Sequence, residues 1–182
     1  MTGPTYLTIL RMILSVVFLV FMMIPETWSH IVALVVFVIA AITDKIDGMW
    51  ARKKKIVTDL GAFLDPLADK MLVSLAFLAL VYLDIVPLFV FAIILVRDFA
   101  IDGMRMMAAS QNVTISASFY GKLKTTFQMT ALIILIANTI FGLKVFEIAG
   151  NIALYLALAL TIISGLDYLK KGAKFLNKKR NH

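Results

Sequence analysis

The sequence predicts an all-α fold: a bundle of six transmembrane helices with a polar, cytoplasm-facing cavity between them, formed as a single domain over residues 1–182. Composition is the first observation behind this prediction. Of the residues, 62% are hydrophobic and 16% are charged, and the mean hydropathy is +0.95. Soluble domains carry about a quarter charged residues, so the excess apolar surface of this chain requires lipid. The absence of cysteine excludes disulfides, thiolate metal sites and cysteine nucleophiles.

Six apolar segments are the second observation. Each is close to the roughly 20 residues that a helix needs to cross a hydrocarbon core of about 30 Å. The segments are Thr5–Met23, Ser29–Met49, Leu60–Leu83, Val86–Ala109, Tyr120–Leu143 and Val145–Tyr168. Pro25 lies in the break between the first two segments, and Pro87 and Gly142 lie beside two later breaks; both residue types end helices. Because these turns are short, neighbouring helices are expected to run antiparallel.

The distribution of basic residues predicts the orientation. Most lysines and arginines fall in the connection after segment 2, near the end of segment 4 (Arg105), at the start of segment 5 and in the C-terminal tail, whereas the opposite loops hold only Lys144. The positive-inside rule therefore predicts a multi-pass protein of the cell membrane with both termini in the cytoplasm. The net charge of +7 is better explained by an anionic membrane leaflet than by nucleic acid, so no nucleic-acid partner is predicted.

Charged residues inside the spans, or directly beside them, are the third observation. They fall at the start of segments 1 and 3 and at the end of segments 2 and 4, which is the same, cytoplasmic side of an alternating bundle. They are Arg11, Asp44, Lys45, Asp47, Asp59, Asp65, Asp69, Lys70, Arg97, Asp98, Asp102 and Arg105. Segments 1 to 4 are therefore expected to form the polar cavity, and segments 5 and 6 mainly its scaffold. Tyr168, near a predicted interface, is expected to act as an aromatic anchor.

Four of these aspartates form two pairs. Asp44 and Asp47 are three residues apart, Asp65 and Asp69 are four apart, and either spacing places both side chains on one helical face. Because segments 2 and 3 are predicted antiparallel neighbours, the pairs can face each other. Four bare carboxylates inside a membrane would cost on the order of 10 kcal/mol. Two hard cations, Mg²⁺ or Mn²⁺, would offset that cost and suit phosphoryl transfer.

Two other interpretations of the aspartates stay open at this point. A single aspartate of this kind is often a helix-end residue or half of a local ion pair, and intramembrane carboxylates also mark cation carriers and proton relays. Gly48, Ala51 and Gly61 favour a bulky ligand instead, because small residues clear space beside the carboxylates. The guanidinium group of Arg52 suits a diphosphate.

The stretch from Asp44 to Asp69 resembles the signature of the CDP-alcohol phosphotransferase family. That signature reads Asp, two residues, Asp-Gly, two residues, Ala-Arg, eight residues, Gly, three residues, Asp, three residues, Asp, and all eight fixed positions are present. The resemblance implies that Asp44, Asp47 and Asp65 bind one metal ion, and that Asp65 and Asp69 bind a second. It also implies that Asp69 is the general base for the acceptor hydroxyl, and that the protein is a homodimer. The residues expected along the CDP moiety are Gly48, Ala51, Arg52 and Gly61.

Four cations outside the signature bear on the acceptor alcohol: Arg97, Arg105, Lys122 and Lys124. A phosphomonoester dianion needs such fixed donors in a partly dehydrated cleft, whereas a neutral alcohol does not. For the two lysines, the positive-inside bias is an equal explanation. Arg97 lies about three turns inside segment 4, beyond easy snorkelling, which favours a functional role or an ion pair with Asp98 or Asp102.

The sequence around these cations, residues 96–105 and 120–125, resembles the bacterial phosphatidylglycerophosphate synthase branch of the family, with Asp98 where glutamate is usual. This resemblance implies transfer of the phosphatidyl group of CDP-diacylglycerol to sn-glycerol 3-phosphate, giving phosphatidylglycerophosphate and CMP. Inositol phosphate, serine and phosphatidylglycerol remain alternative acceptors, and a cation carrier remains the alternative of another class.

Overall fold

The computed structural model describes the backbone of residues 3–54, 59–109 and 119–180, and the side chains of 6–43, 67–68, 70–108 and 119–168. These residues form six helices and, within the described ranges, no strand. The helices are α1 (Gly3–Met23), α2 (Thr27–Lys54), α3 (Asp59–Tyr82), α4 (Leu88–Ala109), α5 (Phe119–Phe141) and α6 (Lys144–Arg180). The predicted all-α class is confirmed.

The predicted segments and the observed helices agree within two residues except at the ends of α2 and α6. Segment 2 is predicted to end at Met49, but α2 continues to Lys54. Segment 6 is predicted to end at Tyr168, but α6 continues to Arg180. Leucine, alanine, lysine and arginine predominate in this tail, all of which favour helix, and basic residues at a helix C-terminus interact well with its dipole. Hydrophobicity marks the part of a helix that lipid can surround, not the residue at which the helix ends.

The turns between helices are closed by specific backbone conformations and hydrogen bonds. After α3, Asp84 has a left-handed φ of 56°, which aspartate tolerates better than most residues. Between α5 and α6, Gly142 has a φ of 60°, and its N–H donates to the carbonyl of Asn138 at 2.8 Å. Glycine is the usual residue at this helix-ending position. The Ser29 hydroxyl, near the start of α2, donates to the carbonyl of Phe21 in α1 at 2.7 Å.

The helices fall into two compact units. Unit 1 comprises Met1–Val86 and Leu132–Glu147. Within it, α1 packs against α2 and α3, which also contact each other. Phe18 of α1 and Phe37 of α2 meet with ring centroids 5.5 Å apart. This unit contains the helical segments that carry the four paired aspartates.

Unit 2 comprises Pro87–Ala131 and Ile148–His182, and therefore contains α4, the first part of α5 and most of α6. Its interior combines apolar residues such as Ile94, Ile101 and Leu154 with an unusual number of polar ones. Those buried polar side chains are Asp98, Lys124, Gln128, Thr161, Ser164 and Tyr168. Buried polar groups on this scale require partners, and the partners determine what the unit can bind.

Three helical stretches in the described part of the chain are long and apolar enough to cross a membrane. They are Tyr6–Met23, Phe119–Phe141 and Lys144–Tyr168, while shorter apolar stretches occupy Thr27–Thr43 and Lys70–Tyr82. Large apolar side chains are exposed on these helices, for example Val16 and Val20 of α1, as expected of surfaces that face lipid. The chain thus has the character of a membrane protein, and the count of six crossings stays a prediction.

Candidate active site

A buried ion cluster joins α4 to α5 in unit 2. Asp98 of α4 is 7% exposed, and Lys124 of α5 is 3% exposed. The ammonium group of Lys124 donates to both carboxylate oxygens of Asp98, at 2.7 Å and 2.6 Å. Nη1 of Arg97 donates to Oδ1 of the same carboxylate at 2.9 Å. One aspartate therefore holds two cations from two helices in fixed positions.

Residues of α6 hold the other side of this cluster. Nη2 of Arg97 donates to the hydroxyl of Ser164 at 2.7 Å, and Nη2 of Arg105 donates to the phenol oxygen of Tyr168. The Tyr168 ring also faces both guanidinium groups, because its centroid lies 5.8 Å from Cζ of Arg97 and 5.1 Å from Cζ of Arg105. These distances are within the range of cation–π attraction. We call Arg97, Asp98, Arg105 and Lys124 the cation cluster.

The cation cluster has donors that no described residue accepts. The Nε atoms of Arg97 and Arg105 are both buried, and neither has a hydrogen-bond partner among the described residues. Gln128 lies one turn beyond Lys124 on α5. Its amide nitrogen is also buried and has no hydrogen-bond partner among the described residues. Leaving a buried donor unsatisfied costs about 1–3 kcal/mol, and more for charged groups. An anion that accepted from these atoms would remove that cost.

The formal charge of the cluster also matches a particular kind of ligand. Its four residues are three cations and one carboxylate, that of Asp98, and together they carry a formal charge of +2. A phosphate monoester carries about −1.5 to −2 charges at pH 7. Arginine forks and lysine ammonium groups are the donors that proteins use to bind such oxygens. The cluster is therefore suited to a phosphomonoester dianion rather than to a neutral molecule.

The structure separates the two lysines that the sequence grouped together. Lys122 is exposed, whereas Lys124 is buried and paired with Asp98. Two residues along a helix correspond to a rotation of about 200°, so the side chains leave α5 on nearly opposite faces. Of the four predicted acceptor-binding cations, three are thus brought together, and Lys122 lies outside the cluster.

The predicted metal ligands belong to unit 1. Asp44 and Asp47 lie on α2, and Asp65 and Asp69 lie on α3, with each pair inside an uninterrupted helix. Their side chains fall outside the described side chains, as do those of the predicted CDP-binding residues Ala51 and Arg52 on α2. The other two predicted CDP-binding residues, Gly48 on α2 and Gly61 on α3, lie in the same parts of these helices as the paired aspartates. Convergence of the four carboxylates stays a prediction.

The donor chemistry of these positions fits a divalent metal. Four carboxyl-bearing residues on two contacting helices offer only oxygen ligands, which is what Mg²⁺ and Mn²⁺ prefer. Among the side chains that the structure describes, no group of three histidine, aspartate or glutamate residues forms another candidate metal site. The four aspartates are therefore the positions to test.

Two functional candidates on α6 were missed by the sequence interpretation. Tyr168 was expected to be an interfacial anchor, and this is wrong: its side chain is 2% exposed and lies against two arginines. Ser164 was not singled out at all. A signal was present, because Thr161, Ser164, Gly165 and Tyr168 recur at helical spacing within an otherwise apolar span. A small and polar stripe of this kind indicates a buried polar face.

Comparison with known proteins shows which family and which relatives the sequence of this chain resembles. The family described as CDP-alcohol phosphatidyltransferase matches residues 1–163. Curated relatives named CDP-diacylglycerol–glycerol-3-phosphate 3-phosphatidyltransferase include one from Bacillus subtilis (strain 168), 36% identical over 181 residues, covering 92% of this chain and 93% of the relative. Another is from Rickettsia typhi, 39% identical over 168 residues, covering 92% and 94%. A third, from Escherichia coli (strain K12), is 36% identical over 170 residues, covering 91% and 92%.

Proposed function

Because this chain belongs to the CDP-alcohol phosphatidyltransferase family, we propose that it transfers the phosphatidyl group of CDP-diacylglycerol to sn-glycerol 3-phosphate. The products are phosphatidylglycerophosphate and CMP. The relatives carry this reaction in their names. The observation in the structure that supports the acceptor most strongly is the cation cluster, with its formal charge of +2 and its two buried Nε donors.

The charge of the cluster discriminates among the alternative acceptors. Serine has no phosphate, and phosphatidylglycerol is a diester with a single charge, so neither matches the formal charge of +2 on the cluster. Inositol phosphate is a monoester and would match in charge. The names of the relatives favour glycerol 3-phosphate over it. In this assignment Arg97, Arg105 and Lys124 bind the acceptor phosphate, and exposed Lys122 contributes only to the local field.

The aspartates of α2 and α3 supply the chemistry of the transfer. Two Mg²⁺ or Mn²⁺ ions held by them would neutralise the diphosphate oxygens and stabilise departing CMP. Asp69 accepts the proton of the acceptor's primary hydroxyl, whose oxygen forms a bond to the lipid-bearing phosphorus as the bond to CMP breaks. Arg52 binds the diphosphate. The residues proposed to leave room for the CDP moiety are Gly48, Ala51 and Gly61.

The membrane setting follows from the same proposal. The acyl chains of CDP-diacylglycerol stay in lipid while its head group reaches the aspartates. The aspartates must therefore lie near a bilayer surface. We place it in the cell membrane as a single-domain, multi-pass protein of six crossings and as a homodimer. Both termini and the polar cavity face the cytoplasm, in agreement with the excess of basic residues on that side.

A panel of acceptors tests the proposal. The purified chain is incubated with Mg²⁺, labelled CDP-diacylglycerol and, in separate reactions, sn-glycerol 3-phosphate, inositol phosphate, serine or phosphatidylglycerol. We expect CMP release and a labelled phosphatidylglycerophosphate with the first acceptor only. Equal or faster turnover with serine or phosphatidylglycerol would contradict the acceptor assignment. Metal flux into liposomes without CMP release would instead indicate a cation carrier.

A further inference from the structure

We propose that Tyr168 and Ser164 of α6 are positioning residues that fix Arg97 and Arg105 in the orientation that binds the acceptor phosphate. This inference rests on the proposed function, because it explains how the phosphate-binding arginines are held. It assigns a specificity role to a helix that the sequence marks only as scaffold. The two residues act through the arginines and do not themselves contact the reacting atoms.

Tyr168 contacts both arginines at once, and we call Tyr168 and Ser164 together the clamp. Its ring centroid lies 5.8 Å and 5.1 Å from the guanidinium carbons of Arg97 and Arg105. Two guanidinium groups that contact the same ring repel each other, and repulsion is strongest where water is scarce. The negative face of an aromatic ring lowers that repulsion, and the phenol oxygen accepts a hydrogen bond from Arg105 as well. One buried side chain thus holds two cations that would otherwise move apart.

Ser164 completes the clamp one turn earlier on the same helix. Its hydroxyl accepts from Nη2 of Arg97 at 2.7 Å, and Asp98 accepts from Nη1 at 2.9 Å. A guanidinium group is planar, so fixing both Nη atoms fixes the direction of the remaining Nε–H. That Nε is the donor without a partner among the described residues. The clamp therefore fixes the direction of one charged donor of Arg97 that has no partner among the described residues.

A held guanidinium binds phosphate better than a mobile one because its ordering cost is met before the ligand arrives. Loss of the clamp should weaken acceptor binding and leave the binding of CDP-diacylglycerol unchanged. A residue with a purely structural role would alter thermal stability or both substrates together. The change in acceptor binding relative to the change in CDP-diacylglycerol binding therefore separates a positioning role from a purely structural one.

Steady-state kinetics of the full chain test the inference. Tyr168→Phe keeps the ring and removes the hydroxyl, and we expect its KM for sn-glycerol 3-phosphate to rise about tenfold. The KM for CDP-diacylglycerol and kcat should stay within about twofold of the wild type. Tyr168→Leu also removes the ring and should raise the acceptor KM about threefold further. Tyr155→Phe is the matched control, because Tyr155 lies on the same helix but is 49% exposed.

A binding measurement separates this inference from the proposed function. Titration calorimetry of sn-glycerol 3-phosphate into the detergent-solubilised chain requires no turnover. Wild-type binding that Tyr168→Phe weakens about tenfold supports the clamp even if no CMP is ever released. Absence of wild-type binding, equal affinities, or an equal rise in both KM values would overturn it. If Tyr168→Phe fails to fold, Ser164→Ala removes one hydroxyl only, and an unchanged acceptor affinity in that variant would overturn it too.

Discussion

Lys122 and Lys124 lie two residues apart on α5 and have opposite environments, which makes them a matched pair for testing the acceptor site. Lys124 is buried against Asp98, and Lys122 is exposed. We expect Lys124→Met to raise the KM for sn-glycerol 3-phosphate at least about tenfold, because a charge-assisted contact to phosphate is lost. Lys122→Met should change it by less than about twofold. Equal effects in the two variants, measured by CMP release, would place the phosphate elsewhere.

Asp69 is the residue on which the chemical step depends most. Asp69→Asn keeps the size of the side chain but removes its basicity and one metal ligand. We expect kcat to fall at least about 100-fold, which is the usual contribution of a general base. The control is Asp84→Asn in the exposed turn after α3, where asparagine also tolerates the left-handed φ of 56°. Normal turnover of Asp69→Asn would exclude this base assignment.

At the scale of helices, two glycines should respond to alanine with opposite signs. Gly142 has a φ of 60° at the α5–α6 turn, whereas Gly103 lies inside α4, and a Cβ at either position would meet no atom within 4 Å. Gly142→Ala should therefore lower the free energy of unfolding by about 1 kcal/mol through backbone strain alone. Gly103→Ala should raise it by about 0.5–1 kcal/mol through helix propensity. Chemical unfolding in detergent measures both, and the same sign for both would refute the argument.

The helices themselves were predictable, and much of what they bury was not. Apolar segments with proline or glycine at their breaks predicted the boundaries of α1, α3, α4 and α5 within two residues, because lipid imposes both length and composition, whereas α2 runs five residues past its predicted end. The pairing of Lys124 with Asp98 across 26 residues of chain depends on tertiary packing, which no local pattern specifies. Tyr168 was misassigned for the same reason. Its position near a span end fits an interfacial anchor, and only packing against α4 reveals its role.

At the scale of the whole molecule, metal removal tests the proposed role of the aspartates. We expect EDTA to abolish CMP release and excess Mg²⁺ or Mn²⁺ to restore it, because four carboxylates without cations cannot neutralise the diphosphate. Circular dichroism should show unchanged helix content throughout, which separates loss of chemistry from loss of fold. Full activity after exhaustive chelation would contradict the proposed role of Asp44, Asp47, Asp65 and Asp69.

The most direct measurement is the ratio of kcat/KM for sn-glycerol 3-phosphate to that for glycerol, obtained from CMP release with CDP-diacylglycerol and Mg²⁺. The two acceptors differ only in the phosphate group. A site whose buried polar groups are built to bind one substrate group rejects the analogue that lacks it by about 10⁴ or more. We predict a ratio of that order, because the phosphate would accept from the buried Nε donors of Arg97 and Arg105, which have no partner among the described residues. Comparable values for the two acceptors would contradict the account.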